Sequence, residues 1–375
     1  MRKLTANLIY CPEGFISDAY LETDDSGRIM RIVHSSHQDS EAGLEFYSGI
    51  LIPCMINAHC HSELSHLKGA IDKGVGLAGF ARRLGELRRE PDEDAQRRAF
   101  DYWDAKMYEE GVSVVADICN GAVTAAPKKR SRIVYHNFME LFGLRGIDIA
   151  AATRAGEHFD RWSITPHSTY SLNETDFNSA VMAGDMLSVH FMESEAEREL
   201  YGERGELWRW YSGAGMTIDF ENYGSPARRI IECVPSNKRI MLVHNVFVRK
   251  EEVEMLNAHF GSSLTWVLCP RSNKYISDAL PPLGMLRESG ARIAIGSDSL
   301  ASNDSLSMVK EMKQLSEAPL DEVLRWATLS GAEALGLDRE LGSIETGKIP
   351  GLALLSGIDF NTMKLTPSTQ TRRII

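Results

Sequence analysis

Apolar positions along the chain fall into two regimes, and the change comes near residue 50. Before it they form short runs broken by turn residues, as in Arg28-Ile29-Met30-Arg31-Ile32-Val33 after the hairpin signal Asp24-Asp25-Ser26-Gly27. Such alternation predicts short strands joined by tight turns. From there on, near-continuous apolar runs recur at 49–58, 112–119, 133–141, 161–166, 186–191, 239–243, 264–268 and 291–296, most followed by a polar stretch long enough for a helix. Strands apolar on both faces, alternating with amphipathic segments, predict an α/β fold with a parallel sheet covered by helices. Eight such units favour a closed (β/α)8 TIM-type barrel over an open sheet.

The first crossover is long. Its clearest helix begins at Pro91-Asp92-Glu93-Asp94, with proline at an N1-like position and acids in the first turn. Ala95, Ala99, Trp103 and Met107 recur every fourth residue and supply its buried face. The glycine-rich stretch 68–77 reads as a flexible loop that overhangs the strand ends and closes over a ligand. Past the eighth run, 320–335 reads as helix, and the tail from 341 returns to strand and turn. Head 1–50 and tail 341–375 are expected to pair into a small composite β-sandwich beside a barrel at 51–340.

The formal charge of −11 over 375 residues argues against a nucleic-acid partner, because phosphate binding needs a concentrated positive field. The basic cluster Lys128-Lys129-Arg130-Ser131-Arg132 is short and reads as a solvated loop. No apolar window approaches a membrane span, and no uninterrupted apolar segment follows Met1-Arg2-Lys3. The six scattered cysteines, with no CxxC pair, suit reduced and mostly buried thiols in the cytoplasm.

In a barrel the chemistry gathers at the carboxyl ends of the strands. His59 and His61, at i and i+2, leave the first run on one face, half of a tetrahedral metal site. Later strand ends carry His167, His190, Glu193, His244 and Asp298. His190 and Asp298 complete a plausible His3Asp set. Glu193 follows His190 by three residues and faces the same end, whereas Glu195, Glu197 and Glu199 read as a solvated helix start. Cys60 points away by alternation and reads as packing. His34, His37, His136, His158 and His259 read as structural or surface residues, and the position of His66 leaves its role open. The fourth strand end offers no lysine to bridge a second ion, so one divalent metal is expected. Three imidazoles and a carboxylate suit Zn2+, with Fe2+ also compatible. Glu140 and Arg271 are candidates for substrate recognition, each equally readable as a local ion pair. Trp208-Arg209-Trp210-Tyr211 fits a pocket wall, packing or a subunit interface.

Asn57-Ala58-His59-Cys60-His61, Pro166-His167-Ser168, His190-Phe191-Met192-Glu193, His244 and Ser297-Asp298 together resemble the amidohydrolase superfamily. Within it they are most similar to the cytosine/adenosine-deaminase and triazine-hydrolase (ATZ/TRZ-like) branch. Glu63-Leu64-Ser65, Cys269-Pro270-Arg271-Ser272-Asn273 and the segment 297–303 resemble that branch's aminodeoxyfutalosine deaminase group. The resemblance implies that His59, His61, His190 and Asp298 bind the metal. It implies that Glu193, His244 and Asp298 are catalytic and that His167 helps to hold the substrate. Three positions depart from the pattern: Ser62 where leucine is common, Asn245 where cysteine is common, and 347–352 without the usual Ala-Asp pair.

The activity implied is hydrolytic deamination of an amino-substituted nitrogen heterocycle, such as an adenosine-like nucleoside, with water activated at the metal displacing ammonia. Alternatives on the same site are a chlorohydrolase and a cyclic-amide hydrolase. A metal phosphoesterase is disfavoured because the site lacks a basic phosphate clamp, and an inactive scaffold because the proton-transfer set is complete. The expected partner is a small molecule, with neither nucleic acid nor membrane. A homodimer is the assembly common among such proteins.

Overall fold

The computed structural model describes residues 1–34, 42–89 and 92–375; His37 and Pro91 lie outside the described residues. The head supplies β1 (Arg2–Cys11), β2 (Gly14–Ile16), β3 (Ala19–Thr23), β4 (Ile29–His34) and β5 (Leu44–Pro53). Eight strands follow with helices between most of them: β6 (Met55–Cys60), β7 (Val112–Cys119), β8 (Val134–Leu141), β9 (Trp162–Pro166), β10 (Met186–Phe191), β11 (Arg239–His244), β12 (Leu264–Leu268) and β13 (Ile293–Ile295). The tail adds β14 (Leu352–Asp359) and β15 (Lys364–Arg373).

Strands β6–β9 form one four-stranded parallel sheet and β10–β13 another, each in chain order. Single bridge pairs join their edges, Ser168 with His190 at one seam and Cys60 with Asp298 at the other. At the second seam the backbone N–H groups of Ser297 and Asp298 both donate to the His59 carbonyl at 3.0 Å. A side chain at Gly296 would meet His59 Cβ at 2.8 Å, so glycine lets the eighth strand end close against the first. The interior of both sheets is aliphatic, with Ile56, Val114, Phe138, Met241, Val243, Val267 and Ala294 buried together.

Head and tail do share a sheet, because β14 pairs antiparallel with β5. The expected sandwich is instead one seven-stranded sheet, ordered β15-β14-β5-β1-β3-β4 with β2 beside β1. The run at 49–58 spans two elements. Its apolar positions are continuous across the change of sheet, so periodicity alone does not mark it. At the junction the Cys54 N–H bonds Gly351 O at 3.2 Å, one step beyond the Pro53–Leu352 pair of β5 and β14, before the chain enters β6.

The overhanging loop is partly a helix, α1 (Gly76–Leu87). Leu77, Phe80 and Leu84 recur at i, i+3 and i+7, a helical stripe that glycine content obscured. Helix α2 (Glu93–Glu109) is capped by Asp92, which accepts from Ala95 N. It buries Met107 as expected, and also Phe100, one position off the expected stripe. Helix α3 (Ala125–Arg130) corrects the reading of the basic cluster as a loop: Lys128 is buried against Asp117. The stretch 320–335 is two helices, Leu320–Ala327 and Leu329–Leu335, parted at Thr328. Among the described residues no helix is long and apolar enough to cross a membrane.

Candidate active site

His59 and His61 leave the end of β6, and parallel pairing of β10 with β11 sets His190 beside Val243 and Phe191 beside His244. One donor atom from each of His59, His61 and His190 lies within 4.8 Å of the others. His61 Nε2 is 3.3 Å from His190 Nε2. Asp298 Oδ1 stands 3.5 Å from His61 Nε2 and 3.7 Å from His59 Nε2. Burial, with the neighbouring imidazole of His190, holds both His59 and His61 well below the usual imidazole pKa. They are therefore neutral, and their lone pairs converge on one point. His190 donates Nδ1–H to the His167 carbonyl at 2.9 Å, which leaves its Nε2 lone pair facing that point.

His59 Nε2 and His61 Nδ1 are buried without a hydrogen-bond partner in the protein, and a buried polar atom left bare is costly. A divalent cation among the three imidazoles and Asp298 would satisfy His59 Nε2, the Nε2 pair of His61 and His190, and the carboxylate at once. The donor set fits such an ion. Asp298 is oriented for it: Oδ2 accepts from the hydroxyls of Ser272 and Ser302, the latter at 2.8 Å, leaving Oδ1 toward the imidazoles. Burial raises its pKa, yet the fields of His244 and His59 and the Ser272 hydroxyl outweigh this and hold it low.

Glu193 Oε2 is 3.7 Å from His244 Nε2, and both side chains are buried. Burial first, then Asp298 and Glu197, push the Glu193 carboxyl well above the usual range, which favours its protonated form. Asn273 bonds His244 Nδ1 at 3.0 Å and holds the other nitrogen toward Glu193. Met192, His244, Asn245 and Asp298 all have positive φ, so three strand ends carry backbone strain where their side chains converge.

Glu197 corrects the expectation of a solvated helix start. It is fully buried and accepts from the backbone N–H of Met192 (2.9 Å), Glu193 (2.7 Å) and Ser194 (3.2 Å). Burial pushes its carboxyl up to about 8, against the pull of those N–H groups. Glu197→Ala strips three donors of their acceptor and is expected to cost about 2–3 kcal/mol. Chemical denaturation checks this, and an unchanged midpoint would show that the three bonds are dispensable.

A cavity of about 470 Å³ opens over these groups, lined by His61, Glu140, His167, His190, Glu193, His244 and Asp298. Its outer wall is apolar and aromatic: Leu77, Phe80 and Leu84 of α1 with Phe142, Leu144, Tyr170, Trp210, Tyr211 and Met216. His167 stacks on His190 with ring centroids 4.5 Å apart. Glu140 accepts from Asn120 Nδ2 at 3.0 Å and approaches His190 Nδ1 to 3.8 Å. Arg271 takes the ion-pair side of its two readings: it bonds Asn303 Oδ1 at 3.1 Å, pairs with Asp304 and Glu311, and is not on the cavity wall. There it braces the loop that carries Asp298. His66 also lies off the wall, its Nδ1 near Glu63 O. Arg88, which sequence reasoning passed over, is the only Lys or Arg among the described residues on that wall. Its place four residues after Leu84, in step with the α1 stripe and one past the helix end, was the available signal.

An α/β fold that brings three imidazoles, a carboxylate and a buried glutamate to parallel strand ends defines a metal-dependent hydrolase. The amidohydrolase family model matches residues 50–372, and the chain belongs to that family. A 5-methylthioadenosine/S-adenosylhomocysteine deaminase of Haloarcula marismortui is 25% identical over 380 residues, covering 93% of this chain and 82% of the relative. The crystal structure of Helicobacter pylori aminofutalosine deaminase in complex with methylthio-coformycin matches with a TM-score of 0.85 at 22% identity, covering 100% of both chains. A zinc-bound adenosine deaminase from Xanthomonas campestris matches at TM-score 0.77 and 21% identity, over 94% of this chain and 84% of that one. These likenesses show a fold of the amidohydrolase, TIM-barrel type.

Proposed function

We propose that this chain is a zinc-dependent deaminase of adenosine-like nucleosides. The observation that carries the reading is Glu193: a buried carboxyl at the rim of a His3Asp donor set, 3.7 Å from His244 Nε2 and on the wall of a cavity of about 470 Å³. In this reading the two parallel sheets are halves of one closed barrel over 51–340, with 1–50 and 341–375 forming an appended β unit. His59, His61, His190 and Asp298 would hold the ion, which when bound supplies Lewis-acid activation of water at neutral pH.

The chain's own groups do the rest. Asp298 Oδ1 accepts a proton of the attacking water, and His244, whose Nδ1 accepts from Asn273 Nδ2 and whose Nε2 therefore carries the hydrogen, orients that water. Glu193 donates its proton to the ring nitrogen next to the carbon under attack. It takes up the proton left on the added oxygen as the carbonyl forms and gives it to the departing amine. It is then reprotonated by the proton held on Asp298, so that water is consumed and ammonia released. His167, stacked on His190, contacts the substrate near the carbon that becomes tetrahedral. Glu140 is placed to accept from a substrate N–H or O–H. The apolar wall fits a hydrophobic 5′ substituent, and Arg88 favours one bearing negative charge. That combination supports a long-tailed nucleoside such as aminodeoxyfutalosine over adenosine itself.

The test is ammonia release from zinc-loaded protein given adenosine, methylthioadenosine, S-adenosylhomocysteine and aminodeoxyfutalosine, beside a chlorotriazine and a cyclic amide. Turnover of a tailed nucleoside with kcat/KM at least about tenfold above adenosine is expected, the size of one good binding contact. Chloride or carboxylate release without ammonia would overturn the deaminase reading.

A further inference from the structure

Beneath the site lies an ion pair that the mechanism does not use. Asp117, on β7, is fully buried, and Lys128, on α3, is 7% exposed. Neither lines the cavity. Asp117 Oδ1 accepts the backbone N–H of Ser62 at 2.7 Å, and Oδ2 accepts the Ser62 hydroxyl while pairing with the Lys128 ammonium. The ammonium also donates to Asn137 Oδ1 at 2.6 Å and Cys119 Sγ at 3.1 Å. Asn137 in turn donates to Arg161 O at 2.9 Å.

A buried pair of this kind is a poor source of stability, because desolvating two ions largely cancels their attraction and apolar replacements often serve as well. What distinguishes this one is its load. Ser62 follows His61 directly, and both of its polar groups are held by a single carboxylate. His59 sits within β6, and His190 is held by its own N–H to the His167 carbonyl and by its Nδ1 bond. His61 comes after the last residue of β6, and its Nδ1 has no hydrogen-bond partner. Nothing on its ring, apart from the other donors of the site, sets its direction. That direction falls to the backbone at residues 61–62.

We propose that Asp117 and Lys128 form a buried clamp on Ser62 that aims His61 at the metal, making both of them positioning residues. The proposal rests on the metal-centre reading above. The clamp draws on two strands and a helix, with its carboxylate on β7, its cation on α3 and its amide brace on β8, so it holds the end of β6 against a rigid frame. It fixes the ligand before any ion arrives and so lowers the ordering cost of binding one.

The test compares wild type with Ser62→Ala and with the double variant Asp117→Asn/Lys128→Met. The readouts are zinc affinity by chelator competition, the visible spectrum of the cobalt-substituted protein, and thermal melting. Arg287→Ala, which breaks a surface pair with Glu322, serves as a control for stability loss alone. Zinc affinity should fall about tenfold or more, the range typical of groups that orient a metal ligand, and the cobalt bands should shift. The control should do neither. Should the double variant not fold, Ser62→Ala decides alone, since it deletes one hydroxyl. A folded Ser62→Ala with wild-type affinity and spectrum would overturn the clamp, even if its melting temperature dropped. Wild-type protein that takes up no zinc would overturn the metal reading, and the clamp with it.

Discussion

Glu193→Gln is expected to keep one zinc per chain and its melting temperature while losing about 10²–10⁴-fold in kcat. The substitution preserves shape and the backbone bond from Glu193 N to Glu197. What it removes is a proton that can be given and taken back. Burial, with the negative charge of Asp298 and Glu197 beside it, raises the glutamate's pKa well above the usual range and so favours the protonated form. An amide cannot protonate the ring nitrogen. Steady-state kinetics with metal analysis on the same sample checks both halves, and full activity in a zinc-replete sample would sink the assignment. Loss of zinc along with activity would instead move Glu193 from proton transfer to metal retention.

Stripping the metal with a chelator is expected to reduce turnover to background, and zinc at one equivalent per chain is expected to restore it. The donor set argues for one ion: three imidazoles and Asp298 Oδ1 converge on a single point, and the fourth strand end, 164–167, carries no lysine. The same titration should raise the melting temperature, because an ion that binds only the folded chain stabilises it by about 2.7 kcal/mol at a hundred times its dissociation constant. Turnover that survives complete metal removal, or that returns only at two equivalents, would contradict a mononuclear centre.

Much of this was legible along the chain because parallel strands have short, apolar, contiguous signatures. The runs 112–119, 186–191 and 264–268 coincide with β7, β10 and β12. Polar residues at the ends of buried strands stand out against that background, which is why His59, His61, His167, His190, Glu193, His244 and Asp298 could be singled out together. Their convergence in one place depends on three-dimensional strand order. Asp298 reaches His59 because β13 returns to β6, an approach that Gly296 permits and that no local pattern states.

Residues whose meaning is relational escaped the sequence. Glu197 looked like one acid in a solvated run until its carboxylate met three backbone N–H groups. Lys128 looked like a surface base until Asp117 neutralised it. Arg271 read equally as a substrate contact or an ion pair until Asp304 and Glu311 appeared beside it, and Arg88 looked like nothing until α1 carried it to the cavity wall. The sequence by itself determined the parallel α/β pattern, the residue types of the donor set and the single-metal expectation, because these follow from periodicity and side-chain chemistry. Tertiary structure alone decided which charges are buried, which partners hold each ligand and what the cavity wall is made of, because burial and partnership belong to pairs of residues far apart in the chain.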